Sequence, residues 1–195
     1  MDVDRFEIRL CGSGGQGIIL ASIVLAEAAG IIEDYNVSQT QSYGPEARGG
    51  RCKAEVVISS RQIDYPKAIQ LDMILAMNQA SCDAYCYDFK HNGLLLVDSG
   101  FVDQAPTSRV VPLPFTNIAK DVSGTGLVAN IVALGALGHF CPLLSRKSLE
   151  AALIARVPPD TKKINSKALE AGIKAAEKFD LESLPRSIIP EEEEI

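Results

Sequence analysis

No apolar run in this sequence reaches the ~20 residues that a bilayer-spanning helix needs. The longest candidate, Gly126 to Phe140, carries Asn130, His139 and three glycines (Gly126, Gly135, Gly138), and it reads as a buried helix rather than a membrane span. There is no basic block, and the formal net charge is -6. Phosphate neutralisation needs clustered Lys and Arg, so nucleic acid is not an expected partner. Histidine is scarce, with only His91 and His139. Nothing places a serine or cysteine beside either, so a self-contained hydrolase lacks a nucleophile–base pair and no catalytic residue is assigned. The five cysteines (Cys11, Cys52, Cys82, Cys86, Cys141) are odd in number and scattered. They fit a reduced cytosolic chain better than a disulfide framework. Only Cys82 and Cys86 are neighbours, at helical i, i+4 spacing, and two thiols hold neither an iron–sulfur cluster nor a structural zinc. His139 and Cys141, on either side of Phe140, read as core packing, so no metal is expected. The acidic start, Met1 to Arg5, lacks the basic opening of a secretory signal, and the cytoplasm is the expected compartment.

What the sequence does have is apolar residues, at 47% of 195, enough for one core of ordinary size. Arg5 to Cys11 alternates and is rich in strand formers. It leads into a glycine turn and then a nearly continuous apolar helix, Ile18 to Ala29, which together open an α/β unit. Tyr35 to Tyr43 is polar but β-compatible. Lys53 to Ser59, Leu71 to Met77, Leu94 to Val97 and Arg109 to Leu113 read as strands. A helix is expected from about Gln79 to Phe89, with His91-Asn92-Gly93 as a turn. One or two helical turns are expected from Phe115 to Asp121, a buried helix from Gly126 to Phe140, and a helix capped by Ser145 or Ser148 that ends before Pro158-Pro159. Asn165 or Ser166 is expected to cap a last helix through Phe179, with Ala168, Gly172, Ala175 and Ala176 as small contact positions. The reading is a single three-layer α/β domain with a mixed sheet over residues 5–180. An acidic tail follows, 181–195, of the composition that is usually disordered.

Two loops carry the functional signal. Gly12, Gly14 and Gly17 match the dinucleotide fingerprint spacing, which allows a tight turn, close approach of backbone to a ligand, and a helix N-terminus that attracts an anion. Glu33 and Asp34 lie at roughly the separation expected of the ribose-binding acid, but ahead of the next strand rather than at its end. There is no Gly-Lys-Ser/Thr, which excludes a P-loop. An NAD or FAD site and simple strand-to-helix packing both remain open on this evidence of spacing. The second loop, Tyr43 to Gly50, sets Arg48 beside Gly49 and Gly50 and close to Glu46. There the backbone can approach a partner while the guanidinium reaches an anion. A plain surface turn with a Glu46–Arg48 pair is the alternative.

Taken together, Gly12-Ser13-Gly14-Gly15-Gln16-Gly17 and, about thirty residues on, Ser42-Tyr43-Gly44-Pro45-Glu46-Ala47-Arg48-Gly49-Gly50 resemble the gamma subunit of 2-oxoacid:ferredoxin oxidoreductases. Asn78-Gln79, the Asp98 turn, Asn130 with Leu134 to Leu137, and Pro158 through Asn165, Ala168 and Gly172 extend the resemblance over roughly Phe6 to Lys178. It implies a fold like the gamma domain of pyruvate:ferredoxin oxidoreductase. It also implies a complex that converts a 2-oxoacid and coenzyme A to acyl-CoA and carbon dioxide and passes electrons to ferredoxin. In such a complex thiamine diphosphate and iron–sulfur clusters lie on partner subunits (alpha, beta and ferredoxin-like), and coenzyme A is the co-substrate. The gamma chain, inactive alone, scaffolds the complex and helps shape the coenzyme A cleft. The site residues so implied are Gly12, Gly14, Gly15, Gln16, Gly17, Tyr43, Gly44, Glu46, Arg48, Gly49, Gly50 and Asn130. Within the family, Tyr43 to Gly50 most resembles the 2-oxoglutarate type, since pyruvate and branched-chain types more often show a doubled arginine and an alanine for the second glycine. An independent dinucleotide-binding protein and a purely structural module stand as the competing readings. An alanine at Gly14 or Gly17 is expected to damage folding.

Overall fold

The structure, a computed structural model, describes residues 3–43 and 49–185. The expected acidic tail from 186 onward, and Gly44, Glu46 and Arg48 of the second loop, lie outside the described residues.

Six strands form one mixed sheet: β1 (Phe6–Ser13), β2 (Asn36–Tyr43), β3 (Arg51–Ser59), β4 (Leu71–Ala76), β5 (Phe89–Asp98) and β6 (Val110–Leu113), in the order β2-β3-β1-β4-β5-β6. β4 runs parallel to β1, β5 to β4 and β6 to β5, whereas β3 is antiparallel to both β1 and β2. β2 therefore runs with β1, and β3 is slotted between them as the one reversed strand. The apolar run Met73 to Ala76 of β4 and the second half of β5 follow from burial on both faces.

Helices α1 (Ile18–Glu27), α3 (Phe115–Ser123), α4 (Ala129–Phe140), α5 (Arg146–Arg156) and α6 (Lys162–Ala176) cover one face of the sheet. There they pack on Ile8, Leu10, Val56, Ile58, Met73, Leu75, Leu96 and Val111. Among the described residues the opposite face carries only α2 (Gln79–Tyr85), whose Cys82, with Cys86 just beyond, packs on Cys11, Ile74, Ala76, Leu95 and Val97. The layers expected from the sequence are present, with the third reduced to a single short helix. α4 is apolar all round because it is sunk in the core. It meets α6 at two glycines: a Cβ on Gly135 would lie 2.2 Å from the Leu169 carbonyl oxygen, and one on Gly172 would lie 1.8 Å from that of Val132. Gly172, Ala168 and Ala176 are thus contact positions, as their size suggested.

Several local readings need correction. His91-Asn92-Gly93 is not a turn between elements but a bulge inside β5. Leu71 pairs with Phe89 and Met73 with Leu94, so a two-residue step on β4 faces a five-residue step on β5. A Cβ on Gly93 would lie 2.8 Å from the Leu71 carbonyl oxygen, which accounts for the glycine. α2 ends at Tyr85, short of the expected Phe89, because Cys86 leaves helical geometry and Asp88 takes φ 62°. The last helix begins at Lys162 after a single 3-10 turn, Pro159–Thr161, rather than at Asn165. Asn165 lies within it and donates its amide to the Thr161 carbonyl at 2.9 Å. The end of the first helix widens into a π-helical segment, Ala28–Ile32. Ser145 does cap α5, in a capping box with Ser148.

Candidate functional site

In open α/β sheets a crevice forms at the carboxyl ends of the strands where successive connections leave in opposite directions. Here that point lies between β1 and β4. From β1 the chain crosses through α1 on one face toward β2. From β4 it crosses through α2 on the other face toward β5. The glycine turn after β1 and the Met77-Asn78 corner after β4 meet at this crevice.

Polar side chains knit it together. Asn78 donates from Nδ2 to Ser13 Oγ at 2.9 Å and to Gln16 Oε1 at 2.8 Å. Gln16 Oε1 also accepts from the Ser13 amide at 2.7 Å, and its Nε2 approaches the Met77 carbonyl at 3.4 Å. Asn78 Oδ1 caps α2 by accepting from the Ser81 amide at 2.9 Å. Ser13 and Asn78 lie in stretches that carry the resemblance but are not among the site residues it implied. The available signal was an Asn directly after a buried strand, a helix-capping position, but the register that sets it against Gln16 is non-local.

The two glycine loops are joined. The Gly14 amide donates to the Gly50 carbonyl at 2.8 Å, and Gly12 pairs with Cys52 at the end of the β1–β3 ladder. Gly15, Gly17 and Gly49 hold positive φ, 94°, 73° and 68°, which a glycine adopts without steric cost. Gly14 has no positive φ, and a Cβ there would meet only ordinary contacts, 3.5 Å from the Gly49 amide nitrogen and beyond. The expectation that alanine at Gly14 damages folding is therefore corrected. At Gly17 it stands, since a Cβ would lie 2.3 Å from Asn130 Nδ2. Asn130 is buried at the start of α4 and donates to the Gly17 carbonyl at 3.1 Å. Tyr43 ends β2 beside Cys52 and is 64% exposed. Gly12, Gly14, Gly15, Gln16, Gly17, Tyr43, Gly49, Gly50 and Asn130 thus all gather at one end of the sheet.

The dinucleotide reading is not supported. The Ser13 and Gly14 amides, which would face a pyrophosphate, are taken by Gln16 and Gly50. α1 carries the chain to the opposite end of the sheet, so Glu33 lies far from the turn. There it accepts from the Ser145 amide at 2.9 Å, and hydrogen bonds from Ser148 and Ser145 hold its carboxyl below the usual range. The strand end where the fingerprint wants an acid bears Tyr43.

Beneath the crevice, on the α2 face, Arg9 is buried. Its Nε meets Glu55 at 2.8 Å, its guanidinium donates to the Tyr85 carbonyl at 2.9 Å, and it stacks on the Tyr87 ring with 4.8 Å to the centroid. Burial works to raise the Glu55 pKa, but Lys53 and Arg9 outweigh it and hold the carboxyl below its ordinary value. The five cysteines are buried thiols. Burial pushes Cys52 up, and Cys141 up to about 11; contacts with a neighbouring thiol push up Cys82 (from Cys86) and Cys86 (from Cys11). Such thiols are poor iron ligands, since ligation needs the thiolate, and no group of three or more His, Cys, Asp or Glu suited to a metal ion occurs among the described residues. No helix among them is long and apolar enough to cross a membrane.

The model of the pyruvate ferredoxin/flavodoxin oxidoreductase family matches residues 7–175. The chain belongs to that family. Among its members, the 2-oxoglutarate synthase subunit KorC of Methanocaldococcus jannaschii is 44% identical over 90% of this chain and 96% of its own length. That of Methanothermobacter thermautotrophicus is 42% identical over 86% and 93%. The crystal structure of a keto/oxoacid ferredoxin oxidoreductase gamma subunit from Geobacter sulfurreducens superposes with a TM-score of 0.81 at 43% identity, covering 89% of this chain and 97% of the other. The family's fold, a six-stranded mixed sheet with six helices, is the one described above.

Proposed function

We propose that this chain is the gamma-type subunit of a 2-oxoglutarate:ferredoxin oxidoreductase. The observation that carries the proposal is 44% identity to a subunit named for 2-oxoglutarate synthase along nearly its whole length. The complex oxidises 2-oxoglutarate with coenzyme A to succinyl-CoA and carbon dioxide, and two electrons leave to ferredoxin. When bound on partner subunits, thiamine diphosphate supplies the carbanion chemistry and the iron–sulfur clusters supply the electron path. The buried, scattered thiols of this chain do not fit a cluster. Its own work is to dock at the cytoplasmic enzyme's cleft and present the paired glycine turns. In this reading Gly44, Glu46, Arg48, Gly49 and Gly50 face coenzyme A, with Arg48 meeting an anionic group. Gln16, Ser13, Asn78 and Asn130 hold the turn that supports them. Exposed apolar side chains at the same end, Tyr43, Phe101 (50% exposed) and Leu127 (84%), favour it as the partner-facing side.

The test is to pull the complex out of its native host through a tag on this chain and follow viologen reduction with coenzyme A. The acids compared are 2-oxoglutarate, pyruvate and 2-oxoisovalerate. Reduction that needs both 2-oxoglutarate and coenzyme A supports the proposal; no partner subunits and no reduction defeats it. In an intact complex Arg48→Ala is expected to raise the KM for coenzyme A.

A further inference from the structure

Among the described residues, half of one sheet face carries no helix. Where α2 covers it, β1, β4 and β5 present Cys11, Ile74, Ala76, Leu95 and Val97. Toward the β2 edge the same face turns polar. The ladder sets Thr40 opposite Glu55 and Ser42 opposite Lys53, and opposite residues share a face. These four side chains, with Gln41 and Lys67, line a hollow of about 310 Å³. That is near the lower limit of ligand pockets, roughly 300 Å³, and suits a phosphate with its sugar rather than a whole dinucleotide.

The lining is held in place. Lys53 meets Glu55 at 2.9 Å and lies 5.9 Å from the Tyr85 ring centroid. The loop bearing Lys67 is tied by Ser38 Oγ to the Pro66 carbonyl at 3.0 Å and by Arg5 to the Lys67 carbonyl at 2.7 Å. The lining carries two cations, Lys53 and Lys67, against one carboxylate, Glu55, in a chain of net charge -6. Among the described residues, the Thr40 and Ser42 hydroxyls and the Lys67 ammonium meet no other polar group. Two hydroxyls and an ammonium open to solvent beside the Arg9–Glu55–Lys53 cluster can turn to an anionic acceptor.

We propose that this hollow seats the phosphate group of a small phosphate ester, with Lys67 and Lys53 as counter-ions and Thr40 and Ser42 as hydrogen-bond donors. The proposal goes beyond the reading of the glycine turns and does not depend on it.

The test is calorimetric titration of the full chain at fixed ionic strength with pyrophosphate and with adenosine 3′,5′-bisphosphate. Wild type is compared with Lys67→Met, Thr40→Val and a control on α5, Lys147→Met, each checked for an unchanged melting temperature. The expected result is saturable binding of both probes, weakened about tenfold by Lys67→Met, less by Thr40→Val, and unchanged by Lys147→Met. Lack of saturable binding overturns the proposal, as does equal weakening by the control or indifference to both hollow variants. Binding of pyrophosphate alone overturns the ester. If neither probe binds and the assembled complex instead cross-links Lys67 to a partner carboxylate, the hollow is a protein contact and the proposal fails. Arg48→Ala, which tests the coenzyme A reading, is expected to leave pyrophosphate binding unchanged, so the two ideas fail separately.

Discussion

The side-chain amide of Asn130 occupies the place where a Cβ on Gly17 would stand, 2.3 Å from it, and donates to the carbonyl of that same glycine at 3.1 Å. Two residues 113 positions apart thus fix each other: the glycine admits the amide, and the amide pins the turn to α4.

Gly17→Ala is expected to destabilise the chain by about 1–3 kcal/mol from its left-handed backbone alone, and by more because Asn130 must move. Gly14→Ala should leave the melting temperature close to wild type. Thermal unfolding of the two variants side by side checks the contrast, and equal losses would refute it.

Asn130→Ala removes one hydrogen bond and is expected to cost about 1 kcal/mol. In the double variant the clash at Gly17 is gone, so the combined loss should fall short of the sum of the two single losses. A double-mutant cycle in urea measures that coupling, and strict additivity would sink the idea.

Gly135→Ala and Gly172→Ala push a methyl group into carbonyl oxygens of the facing helix. Backbone cannot step aside as a side chain can, so each is expected to cost at least the ~1–3 kcal/mol typical of overpacking. Denaturant midpoints give the values; a shift under half a kcal/mol at either site would contradict the close approach.

Glu55 is held below its ordinary pKa of 4.5 in the folded chain. Its stabilising contribution is therefore present above that value and lost as pH falls through the lower folded value. Glu55→Gln removes the near carboxylate of buried Arg9, leaving Asp88 at 3.8 Å, and is expected to cost up to about 3–5 kcal/mol at pH 7. Its deficit should narrow as pH falls below 4.5. A deficit constant from pH 7 to 3 would show that the carboxylate charge is not what matters.

All five thiols are buried, and structural buried thiols are inert. At pH 8 a disulfide reagent is expected to label the native chain only as fast as it opens, and to label five sites at once in denaturant. Prompt labelling of any single cysteine would contradict this packing.

The strands and most helices are legible in the sequence because burial writes itself locally, as in the unbroken apolar run of α4 or the small residues along α6. What is not legible depends on partners far along the chain. His91-Asn92-Gly93 has turn composition, and only pairing with β4 makes it a bulge. Gly14 and Gly17 look alike in a motif, yet only Gly17 has positive φ and faces Asn130. The polar half-face over β2 and β3 is invisible until the ladder sets Thr40 and Ser42 beside Glu55 and Lys53. For the same reason the spacing of Glu33 suggested a ribose contact that the direction of α1 rules out.

The reversed strand β3 also governs when the sheet can close. β1 precedes both of its neighbours, β3 and β4, in the chain. On a ribosome adding about 5–20 residues per second, Ile8 and Leu10 wait several seconds with no strand on either side. The β2–β3 hairpin, whose contacts are close in sequence, can form as soon as β3 emerges. β1, made first, is then seated late between two edges already emerging, and chaperone protection should matter most in that window.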